Sequence, residues 1–557
     1  MDENSRPQTP IDQIAEEWVD RLVDLVPTAG TYIGRTDVND RYGDYSPEGA
    51  EQQAQAVRDV LTRLEAAEPT DDVDRVTQAD LAGDLACQLE LHDAQWHLRD
   101  INVLASPSQE IRQVYDLMPT ETEEDWSVFA KRLAAVPDAI DGYIETLRYG
   151  IHEDVVPAAR QVQEVAGQAR GYALPDGFFD QLVGRAKAEH AELPDSLHED
   201  LSSGADAARS AYGRLARFLE GVLAPRATED DAVGRELYGI HSRRFLGAEI
   251  DLDETYDWGL EELARMRAEQ EAIAREIKPG ASVDEAVAFL EQDSSRKLVG
   301  TEALREWMQE TADTAIRDLG ETHFDIPEPI RAIECMIAPT TSGEIYYTAP
   351  SDDFSRPGRM WWSVPEGVKA FDTWRELTTV FHEGVPGHHL QIAQAVYNRG
   401  QLNSWRRLLA GTSGHAEGWA LYAERLMEQL GYLEDPADRL GMLDGQRMRA
   451  ARVVLDIGVH LGKRRPDSYQ KWDADYALEF MRRNVNMADE FVQFEVNRYL
   501  GWPGQAPSYK VGQRIWEQLR DEVAQREGDA FSIKAFHKRA LDIGGVGLDT
   551  LRKVLLG

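Results

Sequence analysis

Apolar residues recur at three- and four-residue spacing along most of this chain, and that period confines it to a fold assembled from packed amphipathic helices. Ile14, Trp18, Leu22 and Leu25 form one such stripe, and Leu260, Leu263 and Met266 form another. The pattern holds from about residue 11 to 330. It is broken at Pro69, Met118-Pro119-Thr120, Pro175-Asp176-Gly177, Pro225 and Pro279-Gly280, where a missing amide or a glycine ends a helix. These breaks read as short inter-helix turns, and no repeat or low-complexity tract separates them. Between about 335 and 364 the texture changes. Cys335-Met336-Ile337-Ala338, Ile345-Tyr346-Tyr347-Thr348 and Met360-Trp361-Trp362-Ser363-Val364 are short, aromatic and β-branched, and predict a small sheet. Helices then resume to the end. The expected organisation is a mainly helical half over 1–330 and a metal-binding half over 331–557, joined in one unit.

Length and charge bound the function classes. A chain of 557 residues with 42% hydrophobic content accommodates roughly three or four domains or one large helical enzyme. Sixty basic against one hundred acidic residues leave a formal charge of −40, which repels nucleic acid and anionic membrane surfaces. Cys87 and Cys335 are the only cysteines, too few for a disulfide framework or a thiolate zinc site. The first ten residues lack the basic and apolar regions of a secretory signal, and no apolar run approaches the roughly 18 residues of a membrane span. The protein is therefore expected to be cytoplasmic, with no membrane and no nucleic-acid partner. The sequence leaves the oligomeric state open, a homodimer included.

The chemistry concentrates in His382-Glu383-Gly384-Val385-Pro386-Gly387-His388-His389. Catalytic zinc takes three imidazole or carboxylate ligands and keeps a water position, and the familiar solution places His-Glu-x-x-His on one helix. Here Thr373 with Glu376 reads as a capping box for a helix running into His382. Pro386 then removes the amide that would bond to the His382 carbonyl and breaks the helix inside the motif. On an unbroken helix His389 would return to the face of His382, while His388 would point roughly 120° away. With the break, either is open as the second ligand. His152-Glu153 and His198-Glu199 show that the dipeptide alone is uninformative, but three of the thirteen histidines fall within eight residues here, which core packing does not explain. Downstream, Thr412 or Ser413 caps a second helix that Gly431 stops. It carries Glu417 as the third ligand and Glu424 as a carboxylate orienting a histidine. Zinc is the expected ion, and manganese or cobalt suits the same ligands.

These residues resemble a bacterial family catalogued as domain of unknown function 885. The resemblance rests on the 382–391 segment, on Glu417-Gly418-Trp419-Ala420-Leu421-Tyr422-Ala423-Glu424, on Arg449-Ala450-Ala451-Arg452 and Asp456-Ile457-Gly458-Val459-His460. It continues through Glu495-Val496-Asn497-Arg498-Tyr499, Pro503-Gly504-Gln505-Ala506 and Ser508-Tyr509-Lys510. These motifs cover about the last 200 residues. The resemblance implies a mainly α, large multi-helix fold similar to the Taq-type metallocarboxypeptidases and neurolysin-like oligopeptidases, with a deep cleft and a small β-sheet beside the metal site. Those peptidases carry His-Glu-x-x-His, and this chain has two extra residues before its Gly-His pair. Matching Gly-His to Gly-His implies His388 as a ligand and His389 behind it.

The expected activity is metal-dependent hydrolysis of a peptide or small amide, with Glu383 as general base. Tyr509 and His460 are candidates to stabilise the oxyanion. Arg449 or Arg498 would bind a substrate carboxylate, and Tyr346 and Tyr347 would line the cleft. Arg452 and Asp456 are spaced for an ordinary i,i+4 ion pair. A lyase or hydrolase acting on a modified amino acid, or a non-catalytic metal site, remains as an alternative. A serine or cysteine hydrolase is disfavoured by the absence of a Gly-x-Ser-x-Gly elbow, and Gly544-Gly545-Val546-Gly547 does not make a nucleotide loop.

Overall fold

Helix start signals in the sequence are used as physical chemistry dictates. In the computed structural model, which describes residues 6–189, 192–338 and 345–557, Thr9 with Asp12, Ser106 with Gln109, Thr122 with Asp125 and Ser282 with Glu285 each form a reciprocal capping box. The result is a mainly helical molecule with two small sheets. Among the described residues no helix is long and apolar enough to cross a membrane.

The apolar faces gather into three cores. One unites Ile14, Trp18, Leu64 and Leu85 with Trp405 from far down the chain. A second lies between helices Glu123–His152 and Asp195–Phe218, around Phe129, Tyr143 and Tyr212. The third runs from Tyr238 to Leu551 and surrounds the motif-bearing segment. The cores do not part at residue 330, because helices Leu252–Ile277 and Thr301–Thr322 share this third core with most of the buried apolar residues downstream.

The sheet expected over 335–364 forms from Ile333–Ile337, Ile345–Thr348 and Gly358–Trp362; residues 339–344 of that stretch lie outside the described residues. Gly358–Trp362 is central, parallel to the first strand and antiparallel to the second. A second, two-stranded sheet pairs Lys297–Val299 with Ala370–Asp372. Helix Thr373–Glu383 follows that strand without a gap, and this corrects the expected cap. Asp372 is the N-cap but makes no side-chain capping bond, its carboxylate accepting from Lys297 at 2.8 Å, and the Thr373 hydroxyl donates to the Arg296 carbonyl at 3.0 Å.

A further helix meets the motif, and another packs behind it. Ser413–Gln429 starts at Thr412, whose hydroxyl accepts from the His415 amide at 3.2 Å, and ends before Gly431 with φ +85°. It crosses Ser508–Glu527 so closely that a Cβ at Gly418 would lie 2.5 Å from the carbonyl carbon of Gly512. Gly418→Ala should therefore lower unfolding stability by about 1–3 kcal/mol through overpacking, despite alanine's better helix propensity. Gly83→Ala, in helix Asp72–Asp93 with nothing within 4 Å of the added methyl, should be neutral or stabilising by up to ~1 kcal/mol. Urea denaturation of the two variants checks the contrast, and equal effects would contradict it.

Candidate metal centre

Pro386 interrupts the helix as its missing amide requires. Thr373–Glu383 stops, Val385-Pro386 is cis, and a new helix, His388–Tyr397, begins. The connecting turn keeps its backbone bonded: the Gly384 amide donates to Val380, Gly387 to Phe381 and His389 to Gly384. A side chain at position 387 would place its Cβ 1.9 Å from the His382 carbonyl oxygen, so glycine alone allows this approach. Trp419 holds the turn from the facing helix, its indole N–H shared between the Pro386 and Gly387 carbonyls at 2.9 and 3.2 Å.

The turn resolves which histidine faces His382. The His382 and His388 rings meet edge to face, with centroids 4.9 Å apart. His389 points the other way, bonded to the Ile330 carbonyl through Nε2 at 2.7 Å and to the Tyr347 hydroxyl through Nδ1 at 2.9 Å. A neutral imidazole satisfies both bonds if Nε2–H donates and Nδ1 accepts. His389 thus ties the turn to the small sheet.

Glu417 completes the convergence. Its Oε2 lies 3.3 Å from His382 Nε2 and 3.8 Å from His388 Nε2, yet it has no hydrogen-bond partner although buried. Glu383 approaches the same point: one ligand atom each from His382, Glu383 and His388 lie within 4.8 Å of one another. Of the two carboxylates Glu417 is the one whose orphaned oxygen faces both Nε2 atoms.

His382 Nδ1 is 2.7 Å from Glu424 Oε1. If Nδ1–H donates there, the Nε2 lone pair of a neutral ring points at the lone pairs of Glu417, a repulsive arrangement unless a positive charge lies between them. Burial alone would strip His382 of its second proton, but Glu417 and Glu424 outweigh burial and push the imidazole up to about 10. Burial would likewise raise Glu417, yet the two histidines hold it down to about 2. In the metal-free chain a proton on His382 meets this negative charge, and a cation held by His382, His388 and Glu417 would take its place; two imidazoles with one carboxylate are a donor set that zinc takes. Burial pushes His388 down to about 4, which keeps it neutral as a ligand must be. Burial pushes Glu383 up to about 7, with Glu417 adding to the rise and His382 opposing it.

A cavity of about 460 Å³ opens beside these groups, lined by His382, Glu383, Glu424 and Arg449 and by Glu376 and Ile345. Arg449 lends its charge to Glu424 and Glu383, and its Nε has no hydrogen-bond partner. Tyr509 is also close by: burial and the charge of Glu417 raise its phenol, and Arg452 stacks 5.2 Å from its ring centre. A larger hollow of about 960 Å³ carries His92, His97 and His152. Among the described residues no converging ligand set forms there.

The remaining candidates lie elsewhere. His460 is buried about three turns beyond Arg449, stacked on Tyr238 and 3.1 Å from the Tyr499 carbonyl. Arg498 is engaged by Glu495 at 3.2 Å and Gln505 at 2.6 Å. Tyr346 stacks on Trp361 across the sheet, and Tyr347 serves His389. The i,i+4 pair of Arg452 with Asp456 does not form. Arg452 pairs with Glu495 at 2.7 Å, while Asp456 accepts from the Tyr238 hydroxyl and the Gly504 amide. Sequence reasoning missed Gln446, whose amide reaches Glu424 at 2.9 Å, and Lys510, which reaches Gln446 at 2.8 Å. Gln446 sits one turn before Arg449 on the same helix face, the one signal that pointed to it.

No curated protein matches the chain. Several solved chains share its fold, two of them as follows. One, described as "the putative lipoprotein from Colwellia psychrerythraea", is 22% identical with a TM-score of 0.85 over 98% of both chains. The other, described as "a putative lipoprotein of unknown function from Shewanella oneidensis", is 16% identical with a TM-score of 0.76 over 99% of this chain and 100% of that one. At such identities the likeness is one of fold. The family model described as "Bacterial protein of unknown function (DUF885)" matches residues 27–555, so the likeness reaches well upstream of the motifs that first suggested it, and the chain belongs to that family.

Proposed function

We propose that this protein is a zinc-dependent hydrolase of peptide or small amide bonds, with His382, His388 and Glu417 as ligands and Glu383 as general base. The observation that carries the proposal is the convergence of His382 Nε2, His388 Nε2 and the orphaned Glu417 Oε2 beside a buried second carboxylate. Manganese or cobalt would suit the same donors. Bound there, a divalent cation supplies Lewis acidity, polarising a carbonyl and making water more acidic.

The chain's own groups supply the rest. Glu383, with its proton affinity near neutrality, takes the proton of the attacking water and passes it to the leaving nitrogen. Tyr509 donates its hydroxyl hydrogen to the carbonyl oxygen as negative charge develops there. Arg449, on the cavity wall with its Nε unbonded, binds a substrate carboxylate. A cavity of about 460 Å³ falls in the range of small-molecule sites and favours a short peptide or a single modified amino acid. The peptidase-like architecture, two helical halves about a cleft, is part of this proposal.

Zinc added to chelator-stripped protein should bind one ion per chain and raise the unfolding temperature, by the equivalent of about 2.7 kcal/mol when free zinc is 100 times Kd. His382→Ala should abolish that shift. Elemental analysis and thermal scans read both, and a wild-type chain indifferent to zinc would remove the metal site. Glu383→Gln should keep the zinc and lose at least ~10²-fold in turnover on a peptide and small-amide panel. Unchanged turnover in that variant would eliminate Glu383 as the base.

A further inference from the structure

Behind the proposed ligands runs a buried polar chain that ends on a lysine. Lys510 is 2% exposed and Gln446 fully buried, and the two are joined by a 2.8 Å bond from Lys510 Nζ to Gln446 Oε1. The ammonium also donates to Gln513 Oε1 at 2.8 Å and lies 3.2 Å from Glu262. Gln446 Nε2 in turn donates to Glu424 Oε2 at 2.9 Å and to the Leu421 carbonyl at 3.3 Å. Glu424, 1% exposed, uses its other oxygen for His382 Nδ1 at 2.7 Å. Four helices contribute one member each: Thr373–Glu383, Ser413–Gln429, Pro436–His460 and Ser508–Glu527.

The direction of every bond in this chain follows from its lysine end. An ammonium has three donors and no acceptor, so the amide atom facing Lys510 must be the oxygen. The amide nitrogen therefore faces Glu424 and must donate. Glu424 is then left as an acceptor for His382 Nδ1–H, which turns Nε2 toward Glu417 and His388 and leaves it the nitrogen free to bind an ion in place of a proton. If the amide turned over, its oxygen would stand 2.9 Å from Glu424 Oε2, two buried acceptors with no proton between them.

We propose that Lys510 is a positioning residue for the metal centre: it holds the Gln446 amide in the one orientation that keeps Glu424 accepting from His382, so that His382 presents Nε2 to the ion. The inference rests on the metal-site reading above. Lys510 touches neither ion nor substrate, and its effect passes through Gln446, Glu424 and His382 in turn.

The test uses the full chain and zinc alone, with affinity read by competition against a chromophoric chelator and the stability of the metal-free form read by urea unfolding. Lys510→Met, which keeps the length and removes the donors, should weaken zinc binding about 10-fold or more. Gln446→Glu should do the same, because it still accepts from Lys510 but offers Glu424 no N–H; it decides the question if Lys510→Met does not fold. Wild-type zinc affinity in a folded Lys510→Met or Gln446→Glu protein, with only metal-free stability lowered, would overturn the role of Lys510 and leave the metal site standing. A wild-type chain that takes up no zinc would overturn both.

Discussion

The interrupted backbone between His382 and His388 is the constraint on which the site depends. Pro386 prevents the helix from continuing, Gly387 lets the chain fold back to within contact of the His382 carbonyl, and the Trp419 indole clamps the Pro386 and Gly387 carbonyls. Trp419 is fully buried and lies two residues after Glu417 on the same helix. The clamp that secures the turn therefore also sets the height of Glu417 against the two imidazoles. A rigid attachment of this kind matters because ligand atoms must meet within a few tenths of an ångström to share an ion.

Charge supplies the second constraint. Glu383, Glu417 and Glu424 crowd a largely buried space whose nearest cations are His382 and Arg449. Buried carboxylates are tolerated only when paired or neutralised. The molecule meets this unevenly: against their burial, Arg449 and His382 hold Glu424 below the usual carboxylate range and the two histidines hold Glu417 down to about 2, while Glu383 is left to carry a proton near neutrality. Environments that push neighbouring carboxylates apart in this way separate a ligand from a base. The overall charge of −40 has no part in this, since it is a property of the solvated surface.

Glycine at the helix crossing extends the same logic outward. Gly418 and Gly512 let helices Ser413–Gln429 and Ser508–Glu527 approach at backbone distance, which brings Tyr509 beside Glu417 and Lys510 to Gln446. The small sheet braces the opposite side, with Tyr347 reaching His389 and Ile345 on the cavity wall. Layers from distant parts of the chain thus converge on one short turn.

Much of this was legible in the sequence, where the physics is local. Helical periodicity, the aromatic strands at 333–362, the cap at Thr412, the stop at Gly431 and the break at Pro386 all act within a few residues of themselves. Clustering within eight residues marked His382 and Glu383, and the capped helix after them marked Glu417 and Glu424. What local reasoning left open was the direction taken after the break, because a prolyl turn redirects the chain by an amount that neighbouring packing decides. Only the tertiary structure set His388 rather than His389 against His382, through the Trp419 clamp and the bonds of His389 to Ile330 and Tyr347. It also separated Tyr509, which neighbours Glu417, from His460, which lies on the same helix as Arg449 but about three turns beyond it. The bond between Lys510 and Gln446 was invisible for the same reason: sixty-four residues apart in the chain, the two meet only through helix packing.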